Sequence, residues 1–257
     1  MLLNHKIYGQ GDPVIVIHGL FGSATNLGML SKQLKTDHQV IAVDVRNHGL
    51  SERHHSMHYD DMANDIIQLM DHLAINQAHL VGHSMGGKIA MRCALNFPQR
   101  VASLVVADIA PVSYPARHDN VFRGLKNIPL ANINSRSEAQ EKLAEYVEAA
   151  GVQQFLLKGL HKNDQGQYDF YYALGTIINE YDNISDWPDI EKKYDKPVLF
   201  IKGMNSDYIT NTHKSAIGHY FPNATAKLIQ GAGHWLHAEK PAAFNKIIVD
   251  FLFSHQQ

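Results

Sequence analysis

The stretch Ala78-His79-Leu80-Val81-Gly82-His83-Ser84-Met85-Gly86-Gly87 changes period part-way along. Its first half, Ala78 to Gly82, is a short apolar run, as in a strand covered on both faces. From Met85 onward the apolar residues Ile89, Ala90, Cys93, Ala94 and Phe97 recur at the three-and-four spacing of a helix. Between them Gly82-His83-Ser84-Met85-Gly86 fits G-x-S-x-G. Glycines there permit a tight strand-to-helix turn that lifts the Ser84 hydroxyl above a sheet edge, next to the positive end of the helix dipole. Ser84 is therefore the candidate nucleophile.

The same alternation extends outward. Pro13 to Ile17, Val40 to Asp44 and Leu104 to Asp108 read as further buried strands, and Met62, Ile66, Leu69, Met70 and Leu73 mark another helix. This is the pattern of a mostly parallel sheet flanked by helices. It stops after Pro111 and resumes at Pro197 to Ile201, followed by Ala226 to Ile229 and a last helix from about Pro241 to Phe253. The interval holds helical stretches, from Glu138 to Ala150 and from Val152 to Leu160, and no convincing buried strand. The expected organisation is a core of residues 1–112 and 188–257, with residues 113–187 inserted as an all-helical cap.

A serine hydroxyl needs a base. Gly231-Ala232-Gly233-His234-Trp235 follows the last strand run, and its small residues suit a loop carrying an imidazole over the sheet edge. His234 is the candidate base. Two acids compete to orient it. Asp108 ends one run, and Asp207 follows another in Gly203-Met204-Asn205-Ser206-Asp207. Both runs end at the same rim of a parallel sheet, so periodicity leaves the choice open.

His18-Gly19-Leu20-Phe21-Gly22, Asp44-Val45-Arg46-Asn47-His48-Gly49-Leu50-Ser51, the Ser84 pentapeptide and Gly231-Ala232-Gly233-His234 together resemble the serine α/β-hydrolase superfamily. Asp108-Ile109-Ala110-Pro111, Asn205-Ser206 and the run from Gly233 to Pro241 are similar, more narrowly, to YbfF-type bacterial esterases, with the ABHD-eleven group more distant. The resemblance implies an α/β-hydrolase fold and a Ser-His-Asp triad. The wider superfamily would use Asp207. The narrower pattern favours Asp108, with Ser206 as a fourth member or else a turn residue. Backbone N–H groups of Leu20 and Met85 are the implied oxyanion donors. Phe21 and Trp235 are candidate substrate contacts. Arg46, Arg117 and His118 could attract an anionic substrate tail, although Arg46 could instead pair with Asp44 or another acid and hold its loop.

The implied activity is hydrolysis of carboxylic esters of short to medium acyl chains, thioesters such as acyl-CoA included. A C–C bond hydrolase of meta-cleavage products and a non-catalytic receptor or scaffold are the alternatives. The 257 residues are 45 % apolar and 19 % charged, with a net charge of −2. No basic field stands ready for nucleic acid. A single cysteine, Cys93, forbids an intrachain disulfide or a thiolate cluster and reads as a core residue. No apolar run approaches a membrane span, and the start of the chain does not read as a secretory signal. The expectation is a cytoplasmic protein without a cofactor or metal.

Histidine is over-represented, at 17 residues. His54, His55 and His58 form H-H-x-x-H in a polar stretch, without the pattern of a zinc site. With half of the histidines protonated near pH 6.5 the net charge would reach about +6. A surface growing positive at lower pH is thus expected, with His83 facing neighbouring loops and His237 packing on the following helix start.

Overall fold

The computed structural model describes residues 1–255. In chain order the elements are β1 (His5–Tyr8), β2 (Asp12–Ile17), α1 (Gly28–Leu34), β3 (His38–Val43), α2 (Tyr59–His72), β4 (Ala78–His83), α3 (Met85–Asn96) and β5 (Val101–Ala107). Then come α4 (Asp119–Lys126), α5 (Arg136–Ala144), α6 (Ala150–Leu157), β6 (Leu160–Lys162), β7 (Tyr168–Phe170), α7 (Leu174–Asn179) and α8 (Tyr181–Ser185). The chain closes with β8 (Val198–Gly203), α9 (Lys214–Tyr220), β9 (Ala224–Ile229), α10 (Leu236–Glu239) and α11 (Pro241–Phe253).

Seven strands form one sheet in the order β1-β3-β2-β4-β5-β8-β9. All neighbours are parallel except β1, which runs antiparallel to β3 at one edge. Successive side chains on a strand point to opposite faces. Ile15, Ile17, Leu80, Leu104 and Val106 accordingly join Met62, Ile66, Leu69, Ile89 and Cys93 of α2 and α3 in one apolar cluster. Val14, Val16, Val81, Val105 and Ala107 join Leu30 and Leu34 of α1 and Phe244, Ile248 and Leu252 of α11 in the other. Burial on both faces is why these runs read as continuously apolar.

The interval between β5 and β8 departs from the all-helical expectation. Beside α4 to α8 it contains the antiparallel hairpin of β6 and β7, with Leu160 opposite Phe170. Strands of three residues are too short to show alternation in sequence. The expected helices also shift, to Arg136–Ala144 and Ala150–Leu157. Polar ties fasten this segment to the sheet domain. Arg53 donates to the Phe170 and Tyr171 carbonyls, the Tyr59 hydroxyl to Ile184 O at 2.6 Å, and Arg92 to Pro188 O at 3.0 Å. Among the described residues no helix is long and apolar enough to cross a membrane.

Candidate active site

Ser84 sits where β4 turns into α3, with φ 53° and ψ −121°. A non-glycine residue in that region is strained, and persists only where its surroundings enforce it. Here sterics enforce it. A Cβ on Gly82 would overlap the Gly86 carbonyl, and a Cβ on Gly86 would overlap the carbonyls of Ile17 and His18. The Ser84 N–H donates to Ala107 O at 2.9 Å, pinning the turn to β5.

His234 arrives on the loop between β9 and α10. Its Nδ1 lies 2.8 Å from Asp108 Oδ2 and its Nε2 2.9 Å from Ser84 Oγ. A carboxylate at Nδ1 places the ring proton there, so Nε2 is the acceptor and the Ser84 hydroxyl its donor. The Tyr208 ring stacks on the imidazole, 3.9 Å between centroids and 19° from parallel. His83 Nε2 donates to the His234 carbonyl at 2.8 Å, fixing the backbone of the same loop.

Asp108 is fully buried. Its Oδ1 accepts from Gly203 N at 3.0 Å, and its Oδ2 accepts from Ser206 Oγ as well as His234. Ser206 Oγ in turn accepts from Tyr208 N at 3.2 Å, so it serves the turn and the carboxylate together. Asp207 lies apart: its side chain is 73 % exposed and accepts from Arg117 Nη1 at 2.7 Å. The Arg117 hydrogen bond is the main reason its carboxyl sits below the usual range. Of the two candidate acids, Asp108 is the one in contact with His234.

Two buried histidines hold the loop after β2. Val45 N–H donates to His18 Nε2 at 3.0 Å, leaving His18 Nδ1–H to donate to Gly19 O at 2.7 Å. Phe21 N–H donates to His48 Nε2 at 3.1 Å, and His48 Nδ1–H donates to Arg46 O at 3.0 Å. Each ring thus needs one nitrogen unprotonated. Burial pushes both down, His48 to about 3. Burial also lowers His79, His118 and His237 to about 4 and His83 well below its ordinary value. These six histidines therefore add nothing to the surface charge expected to grow as pH falls. Six rings stay neutral as pH falls through 6.5, because the charged form cannot be solvated there.

A cavity of about 280 Å³ opens over Ser84. Leu20, Phe21, Met85, Arg117, His118 and Trp235 all line it. Arg46 does not reach it. It is buried under the neighbouring loop, with Nε 2.6 Å from Asp65 Oδ2 and Nη1 donating to Ser56 O. The expectation of a substrate contact at Arg46 is corrected accordingly: a buried guanidinium needs a charged partner, and Asp65 supplies it. Asp44 instead accepts from Ala24 N and Leu50 N. In the run Phe170-Tyr171-Tyr172, Phe170 and Tyr172 are buried against one another and Tyr171 is exposed.

Among the cavity residues that escaped sequence reasoning are Tyr114, Tyr208 and Lys88. The Tyr114 hydroxyl receives Ala110 N–H and donates to Tyr208 O, tying the Asp108 loop to the Ser206 loop. Lys88 carried a legible signal, since it lies one helical turn after Ser84 on the same face.

The sequence profile for the α/β-hydrolase fold matches residues 12–241. The chain belongs to the α/β-hydrolase family. Among its relatives, the protein named Esterase YbfF of Escherichia coli (strain K12) is 39 % identical over 244 residues, covering 95 % of this chain and 94 % of that one. The protein named sn-1-specific diacylglycerol lipase ABHD11 of Danio rerio is 37 % identical, over 95 % of this chain and 80 % of its own length. A solved structure described as a marine microorganism esterase superposes with a TM-score of 0.95 at 34 % identity, covering 98 % of this chain and 99 % of the other.

Proposed function

We propose that the protein is a carboxylic ester hydrolase working through an acyl-enzyme on Ser84. The observation that carries this reading is the continuous relay from Ser84 Oγ through His234 to the buried Asp108. Relatives named as an esterase and a diacylglycerol lipase support it.

Ser84 Oγ attacks the ester carbonyl carbon while its proton passes to His234 Nε2. Charge builds on the former carbonyl oxygen, where the backbone N–H groups of Leu20 and Met85 receive it; one such donor lowers the barrier by roughly 3 kcal/mol. Asp108 stabilises the imidazolium and holds its tautomer. The C–O bond then breaks, and His234 returns the proton to the departing alcohol. Water attacks the acyl-Ser84 ester, His234 takes its proton, and Ser84 leaves with that proton as the acid is released. A thioester follows the same steps with a thiol leaving. The cavity of about 280 Å³ suits short to medium acyl groups. Phe21, His118 and Trp235 contact the substrate in this scheme, with Arg117 at the rim.

The test combines p-nitrophenyl esters of increasing acyl length with labelling by a fluorophosphonate and mapping of the adduct. The reading expects turnover of short and medium esters and an adduct on Ser84. An adduct elsewhere, or turnover only of a vinylogous dienone, would overturn it in favour of different chemistry.

A further inference from the structure

Lys88 stands out among the groups that this mechanism leaves unused. It is only 1 % exposed, yet it lines the cavity one helical turn beyond Ser84. Its Nζ donates to two uncharged acceptors, Ser185 O at 2.9 Å and Asp186 O at 2.8 Å. It also faces the rings of Tyr59 and Tyr114, at 5.4 and 5.0 Å from their centroids. An ammonium has three N–H donors, so one remains. The Asp186 carboxylate is engaged with Ser113 Oγ and meets Lys88 only through its field.

The cavity around it is electrostatically one-sided. Lys88 and Arg117 line it, and among the described residues no Asp or Glu side chain does. Arg117 has a carboxylate partner in Asp207, whereas the ion pairs of the described residues leave Lys88 without one. A buried charge lacking a counter-charge is costly, and a ligand carboxylate would offset that cost. Tyr59, Ile184 and Ser185 close the cavity around Lys88. An acyl chain whose carbonyl sits at Ser84 shares this cavity with Lys88.

We infer that Lys88 forms a carboxylate-binding subsite, so that the preferred acyl group ends in a carboxylate, as in a half-ester of a dicarboxylic acid. The third Nζ donor and the ammonium charge meet that terminal carboxylate. This inference rests on the ester-hydrolase reading. Burial lowers Lys88 to about 7, against an opposing effect of Asp186. The groups facing Nζ are the Tyr59 and Tyr114 rings and the Asp186 carboxylate. The subsite is therefore charged below about pH 7 and loses its charge above it.

The probes are mono-p-nitrophenyl glutarate and p-nitrophenyl valerate, equal in acyl length and differing in a terminal carboxylate against a methyl. The ratio of their kcat/KM values cancels the titration of the shared triad. In the wild type the half-ester is favoured near pH 6, and the ratio falls as pH rises to 8.5. Lys88→Met lowers the ratio by about tenfold, the effect of one charge-assisted hydrogen bond. Arg117→Met retains it. A ratio unaffected by Lys88→Met, or lost only in Arg117→Met, would overturn the assignment. Should Lys88→Met fail to fold, a pH-independent wild-type ratio overturns it equally. Equal hydrolysis of both esters removes the Lys88 subsite alone, whereas hydrolysis of neither removes the ester-hydrolase reading and the subsite with it.

Discussion

Asp108 and Asp207 leave adjacent strands, β5 and β8, at the same rim of the sheet, and they meet opposite environments. Asp108 is sealed from solvent, has φ 52°, and accepts from Gly203 N, Ser206 Oγ and His234. Asp207 projects outward, with Arg117 as its partner. Position at the rim is thus insufficient to make a triad acid. A buried carboxylate needs several donors converging on it, and here Gly203 N, Ser206 Oγ and His234 Nδ1 come from residues 95 to 126 positions further along the chain.

The contrast breaks most readily at Asp108 itself. Asp108→Asn removes the charge and the acceptor that fixes the His234 tautomer, and should lower kcat by about 10⁴-fold. A loss smaller than about tenfold in steady-state assays would place the acid elsewhere. The same division between buried and exposed groups governs stability in acid. The folded protein keeps His48 neutral down to about pH 3, whereas in the unfolded chain it titrates near 6.5. Below pH 6.5 the unfolded state therefore binds more protons, and stability falls as pH drops toward the folded value. His48 alone contributes about 2–3 kcal/mol of loss by pH 4.5. Thermal melts across pH 7 to 4.5 should show it, and His48→Gln should flatten the dependence.

Ser206 lies between the extremes, adjacent in sequence to Asp207 and bonded to Asp108. Ser206→Ala removes one hydrogen bond to a charged acceptor and should cost about tenfold in kcat/KM. Asp207→Asn comes last. Its surface ion pair is worth at most about 1 kcal/mol, so activity should change by less than about fivefold. A large loss there, with a mild one at Asp108, would invert the comparison.

The turn around Ser84 was legible because its requirements are local: Gly82 and Gly86 admit no Cβ, and a strand and a helix flank them. His234 was legible for a similar reason, in a run of small residues after a strand. Asp108 and Asp207 could not be separated by pattern, because what separates them is depth and donors supplied through tertiary structure. The edge strand β1 and the β6–β7 hairpin escaped notice because four- and three-residue strands near the surface carry too few alternations. The histidine count pointed to the surface, and burial of His18 and His48 changed its meaning. Their rings serve as acceptors for Val45 and Phe21 N–H, pairings that composition does not encode.

The most direct test of the account is the proton that His234 Nδ1 shares with Asp108. Proton NMR on the wild type should show a strongly deshielded imidazole N–H resonance. It should persist in Asp207→Asn and vanish or move far upfield in Asp108→Asn. Persistence in Asp108→Asn together with loss in Asp207→Asn would contradict the assignment of Asp108 as the group that orients His234.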